Sequence, residues 1–181
     1  TGQGAEIHEN GDLKVGKMIP DDLLDVLRSA YDHEFEVARK HGGFRNLAME
    51  DTDDVEAKNA APRHMLQIMQ MCERNIHFRK LLFFEPFLDM VESLLGPNIQ
   101  LFHDQALFKP APTGGEIFWH QDNAYWQCTP ANLISCWMTL DDVTLENGAM
   151  PLIPGSPRQA LDHDRAEGAG PLLDVADKAS G

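Results

Sequence analysis

His120 and Asp122 stand two residues apart within Phe118-Trp119-His120-Gln121-Asp122-Asn123-Ala124-Tyr125-Trp126, an aromatic-rich run of strand-like character. Side chains at i and i+2 of a strand leave from one face, so this imidazole and this carboxylate can reach a single metal ion. With a second histidine from elsewhere, such a pair makes the facial triad of non-haem Fe(II) oxygenases, which leaves the opposite face of the octahedron open for co-substrate and O2. The bare tripeptide is a weak signal, since a surface histidine beside an aspartate produces the same pattern.

The elements that must position the pair change character near Asn98. Residues 19–41 are expected to be helical: Pro20 suits a first-turn position, Asp21 and Asp22 suit the positive end of the dipole, and Leu23, Leu24, Val26, Leu27 and Ala30 recur at helical spacing. Gly42-Gly43 ends that helix. A second helix is expected over residues 61–82, with Met65, Ile68, Met69 and Cys72 as a core stripe. A third covers residues 86–95 and stops at Gly96-Pro97. Residues 50–56 are acidic and polar, and read as a solvated loop.

Beyond Asn98 the pattern alternates. Over residues 99–109 one face carries Ile99, Leu101, His103, Gln105, Leu107 and Lys109, and the other carries Phe102, Asp104, Ala106 and Phe108. Further strands are expected over residues 116–122, 133–142 and 149–153, with Ser135, Trp137 and Thr139 on one side of the second. Glu146-Asn147-Gly148 and Pro154-Gly155-Ser156 are turn signals. Helices followed by closely spaced strands indicate an α+β chain whose second half is an antiparallel sandwich or barrel.

Composition narrows the function classes. The 181 residues suffice for one domain, expected to span residues 1–181, and the net charge of −14 has no offsetting basic cluster. Such a field repels nucleic acid and anionic membranes. With no apolar run of membrane-spanning length and no signal-peptide layout, a cytoplasmic location is expected. Cys72, Cys128 and Cys136 form no C-x-x-C pair, so reduced thiols are expected. A chain that opens at Thr1 and closes on the polar Asp177-Lys178-Ala179-Ser180 reads as part of something longer. Oligomeric state is not legible.

Five short blocks carry a resemblance. Leu107-Phe108-Lys109-Pro110, Trp119-His120-Gln121-Asp122, Trp137-Met138-Thr139-Leu140-Asp141-Asp142, Glu146-Asn147-Gly148-Ala149-Met150 and Ile153-Pro154-Gly155-Ser156, in this order, resemble the phytanoyl-CoA dioxygenase family of Fe(II)- and 2-oxoglutarate-dependent oxygenases. Residues 13–31 also resemble the family's opening strand and helix. The resemblance implies a double-stranded β-helix, a cupin-like jelly-roll barrel, with N-terminal helices packed on one side. It implies His120 and Asp122 as two iron ligands, Lys109 and Gln105 as residues lining the 2-oxoglutarate pocket, and Trp137 as an aromatic beside the cofactor. A buried lysine needs a counter-charge, which a dicarboxylate would supply. A carboxylate at position 122 implies a hydroxylase rather than a halogenase.

Two departures stand out. Pro157 follows Gly155-Ser156 where the family usually has His. The family's third iron ligand and its 2-oxoglutarate-binding Arg fall, by spacing, beyond Gly181, so the C-terminal strands are expected to lie outside this chain. His163 is the sole histidine after the pair and could close a triad on spacing alone, although a solvated loop histidine is the simpler reading. The expected activity is hydroxylation of an aliphatic C–H of a small molecule, using Fe(II), 2-oxoglutarate and O2 and giving succinate and CO2. The alternative is a catalytically inactive, or Lewis-acid, cupin-like metal-binding domain.

Overall fold

The computed structural model describes residues 2–166 and 172–176. Helix α1 (Gly2–Asn10) precedes α2 (Asp21–His41), the longest element. In α2, Asp21 and Asp22 occupy the first turn and Arg39, Lys40 and His41 the last, each complementing the helix dipole. Leu27, Ala30, Phe35 and Ala38 are its buried stripe, and Gly42, at φ 88°, ends it. The expected helix of residues 19–41 is therefore present with a two-residue difference at its start. After α2 come β1 (Arg45–Asn46), α3 (Val55–Ala60), β2 (Leu66–Met69), α4 (Met71–Arg74), α5 (Ile76–Leu81), α6 (Glu85–Leu95), β3 (Gln105–Phe108) and α7 (Asp122–Trp126). A short 3₁₀ turn (Ser156–Arg158) and strands β4 (His163–Arg165) and β5 (Leu173–Val175) follow.

The helix expected over residues 61–82 is corrected. Leu66–Met69 form a strand at its centre, and only its C-terminal part is helical, as α4 and α5. Burial alternates along β2, with Leu66 and Ile68 fully inside, and period-two burial is the signature of a strand rather than a helix. Pairing on both edges decides the outcome: β2 is antiparallel to β1 and to β3, in the order β1-β2-β3. Gln70, in the left-handed region at φ 60°, then turns the chain into α4.

Both faces of this sheet are covered. On one, Leu66, Ile68 and Ala106 pack with Phe35 and Ala38 of α2, together with Phe44 and Met71, and Phe108 joins them. On the other, Leu107 packs against Leu47, Met65, Ala166 and Leu172, together with Ile117 and Phe118. Gln105 shares the second face, as the register Gln67↔Leu107 and Met69↔Gln105 requires.

The strands expected over residues 133–142 and 149–153 are not formed, and the expected strand of residues 99–109 is reduced to β3. Among the described residues these segments have no ladder partner, and alternation without a partner does not make a strand. Leu145, Leu152 and Ile153 stay exposed. The expected turn is present, with the N–H groups of Asn147, Gly148 and Ala149 all donating to the Thr144 carbonyl. The fold is thus α+β with small antiparallel sheets, and no closed jelly-roll barrel is formed among the described residues.

Two fasteners matter below. At the chain start, the Gly155 N–H donates to the Asn10 carbonyl at 2.6 Å, Arg158 Nη2 donates to the Glu9 carbonyl at 2.9 Å, and the Pro157 ring lies over Gly11. Buried Asn46 donates through Nδ2 to the carbonyls of Lys58 and Arg63, and its Oδ1 accepts from the N–H groups of Ala48 and Met65. Removing that amide strands several buried backbone groups, so Asn46→Ala is expected to lower stability by about 3 kcal/mol. Urea unfolding checks this, and a loss below about 1 kcal/mol would show that the loop is held by something else.

Candidate metal centre

The strand expected over residues 116–122 is not formed, and a single backbone bond, from the Val175 N–H of β5 to the Trp119 carbonyl at 2.9 Å, ties this segment to β5. At Asp122 the chain turns into α7, so the expectation that both donors sit on one strand is corrected: His120 lies in no strand, while Asp122 opens a helical turn. Aspartate is favoured there because its charge faces unpaired N–H groups. Gln127 at φ 51°, together with the Asn123 side chain bonded to the Cys128 backbone, stops α7 after five residues.

The two donors nevertheless converge. His120 Nε2 lies 3.5 Å from Asp122 Oδ1. On its far side the imidazole Nδ1 donates to the Phe118 carbonyl at 2.7 Å, which leaves Nε2 directed at the carboxylate. Ser135 Oγ donates to Asp122 Oδ2 at 2.5 Å. Tyr125 stands edge-on to the imidazole, with 5.2 Å between ring centres, and its hydroxyl accepts the Leu173 N–H at 2.6 Å.

Asp122, aided by the Phe118 carbonyl, holds the His120 imidazole above its ordinary range, because the imidazolium has acceptors on both nitrogens; partial burial opposes this. The Asp122 carboxyl is held below its ordinary range, first by His120 and then by Ser135.

A divalent ion bound to imidazole nitrogen and carboxylate oxygen sits about 2.1 Å from each, so donors closer than about 4.2 Å can share one ion. The pair meets that test, and one imidazole nitrogen with one carboxylate oxygen suits iron, zinc or manganese. A cation bound there would compete with protonation of the imidazole. Among the described residues no group of three His, Cys, Asp or Glu side chains converges in this way.

His163 is not a third ligand here. Its Nε2 accepts the Gln121 N–H at 2.9 Å and its Nδ1 donates to the Leu161 carbonyl at 2.9 Å, so its lone pair is already engaged. Gln105 is exposed, and its Oε1 accepts from Gln67 Nε2 at 2.5 Å. Lys109 follows β3, with its stem beside Gly114 and Gly148. Trp137 is about half exposed. Gln105, Lys109 and Trp137 make no hydrogen bond to His120 or Asp122. His103 stacks edge-on against Trp126 at 5.2 Å and keeps a buried Nδ1 without a hydrogen bond. Ser135 was legible only as a neighbour of Trp137 in the alternation, while Tyr125 and Gln121 were visible only as residues beside the donors.

The family model for phytanoyl-CoA dioxygenase matches residues 7–172. The peroxisomal phytanoyl-CoA dioxygenase of Mus musculus is 28% identical over 170 residues, which is 88% of this chain and 49% of that protein. A probable alpha-ketoglutarate-dependent hypophosphite dioxygenase of Stutzerimonas stutzeri is 36% identical over 84 residues, 46% of this chain and 29% of that protein. The L-proline trans-4-hydroxylase of Streptomyces griseoviridis is 33% identical over 81 residues, 42% of this chain and 30% of that protein. The chain spans less than half the length of each of these relatives. No solved structure matches it.

The pair sets a pH dependence for the metal-free protein. The raised His120 value stabilises the fold fully below the unfolded imidazole value, and this is lost as pH rises through the folded value. The lowered Asp122 value stabilises it above the unfolded carboxyl value, and this is lost as pH falls through the folded value. The pair's contribution is therefore largest between about pH 4 and 6.5. The His120 ring, followed by NMR, is expected to titrate above free histidine and to fall back in Asp122→Asn. An unmoved midpoint in that variant would mean that the carboxylate does not set it.

Proposed function

We propose that this chain, which belongs to the phytanoyl-CoA dioxygenase family, is an Fe(II)- and 2-oxoglutarate-dependent dioxygenase that hydroxylates an aliphatic C–H of a small-molecule substrate, with succinate and CO2 as co-products. The observation that carries this reading is the approach of His120 Nε2 to Asp122 Oδ1, each anchored on its far side. A hypophosphite dioxygenase, a proline hydroxylase and an ectoine dioxygenase from Bordetella parapertussis among the similar proteins support the reaction class and small substrates.

In this reading His120 and Asp122 supply two iron ligands, and the third, with an Arg for the far carboxylate of 2-oxoglutarate, comes from outside the described residues. Iron with 2-oxoglutarate and O2 supplies the oxidising power. Lys109 and Gln105 lie by alternation on the sheet face that packs against Ile117 and Phe118, which favours their role as 2-oxoglutarate contacts. Trp137 is proposed as the aromatic wall, and the strands around the pair as part of a jelly-roll barrel. His120 binds through Nε2 because the Phe118 carbonyl holds the other nitrogen, and Ser135 keeps the carboxylate from rotating away.

Anaerobic addition of Fe(II) and 2-oxoglutarate to the intact protein is expected to give a visible charge-transfer band, and His120→Ala is expected to abolish it. Without a band in the intact protein, the dioxygenase reading falls. Succinate release coupled to O2 uptake separates it from a Lewis-acid or inactive cupin-like domain, which releases none.

A further inference from the structure

We infer that Gln121 and His163 are positioning residues for the metal-donor pair, which they hold in register from the side away from the metal. The inference rests on the proposed metal site. Gln121, on extended backbone at φ −103° and ψ 133°, directs its side chain to the loop of residues 156–161, while His120 faces Asp122. There its amide is used at both ends. Nε2 donates to the carbonyls of Ser156 and Gln159 at 3.0 and 2.8 Å, and Oε1 accepts the Leu161 N–H at 3.0 Å. Donors and acceptor together match the pattern an adjacent strand would offer, and they stitch the loop to the donor segment where no strand ladder does so.

His163 closes the arrangement. A backbone N–H only donates, so the Gln121 N–H requires a bare Nε2 on His163, and the ring proton then sits on Nδ1, facing the Leu161 carbonyl. Gln121, His163 and Leu161 thus form a closed hydrogen-bonded ring with one allowed tautomer. Loop 155–158 is itself fastened to the end of α1 through Asn10, Glu9 and Gly11. Rotation of the peptide at Gln121 would swing His120 away from Asp122, and this ring resists it. Groups hydrogen-bonded directly to metal ligands typically change metal affinity 10–100-fold, and these two act through the backbone that joins the donors.

Metal affinity separates positioning from bulk stability. Co(II), titrated into the intact protein and followed by its ligand-field bands, is expected to bind about 10–100-fold more weakly to Gln121→Glu and to His163→Ala. Glu at 121 loses both Nε2 donations and sets a carboxylate against two carbonyls. His163→Gln offers an amide oxygen to the Gln121 N–H and is expected to recover most of the loss. Folded variants that bind Co(II) as the wild type does overturn the inference, and so does equal weakening in His163→Gln and His163→Ala. Wild-type protein that binds no Co(II) removes the proposed function and this inference together. Should the variants not fold, the unmutated protein decides by ¹⁵N NMR on adding Zn(II). Metallation of His120 Nε2 with His163 Nε2 still accepting a hydrogen bond supports positioning, whereas metallation of His163 overturns it.

Discussion

β2 is paired on both edges by β1 and β3, and the sheet they form is covered on both faces. Leu66 and Ile68 point into the core beneath α2, while the opposite side of the sheet meets Ile117 and Phe118, the residues that lead into the donor segment. Burial on both sides leaves a strand no alternative register, because a one-residue slip would exchange the two sets of side chains. The segment carrying His120 therefore rests on a surface whose register is set by packing 50 residues earlier in the chain. β5 then fastens it through Trp119, and Tyr125 through Leu173.

At the donor pair, each group is satisfied on the side away from the other. Nδ1 has the Phe118 carbonyl, and Oδ2 has Ser135. What remains is one imidazole nitrogen and one carboxylate oxygen with a single direction left to face. The two face each other across 3.5 Å. The orientation of both side chains is thus settled by their neighbours.

Some of this was legible from residue order, for identifiable reasons. Helix α2 has charge at both ends, a long apolar stripe and a glycine stop, so several independent signals agreed. Helix α6 and the Thr144–Ala149 turn were equally well marked. β2 was misread because Met65, Ile68, Met69 and Cys72 satisfy a helical spacing while Leu66 and Ile68 satisfy a strand, and only the neighbouring strands β1 and β3 arbitrate. The strands expected after Asn98 fail for the complementary reason: alternation describes two faces, but a ladder needs a second segment alongside. The His-x-Asp spacing was read as two donors on one strand face, an argument that applies only in part, since Asp122 lies on a helical turn. Ser135 and the Gln121 amide are non-local partners, 13 to 40 residues from what they bind, and no local pattern announces such contacts.

The Pro157 ring over Gly11 gives the amino-terminal edge of the chain an unexpected importance. A methyl group on Gly11 would fall 2.3 Å from the Pro157 Cγ and would also face a backbone angle, φ 85°, that disfavours it. Proline at 157 is thus accommodated by the absence of a side chain nearly 150 positions away. Anyone trimming or tagging this chain at its beginning is consequently editing the far wall of the loop that Gln121 grips, and affinity handles belong elsewhere.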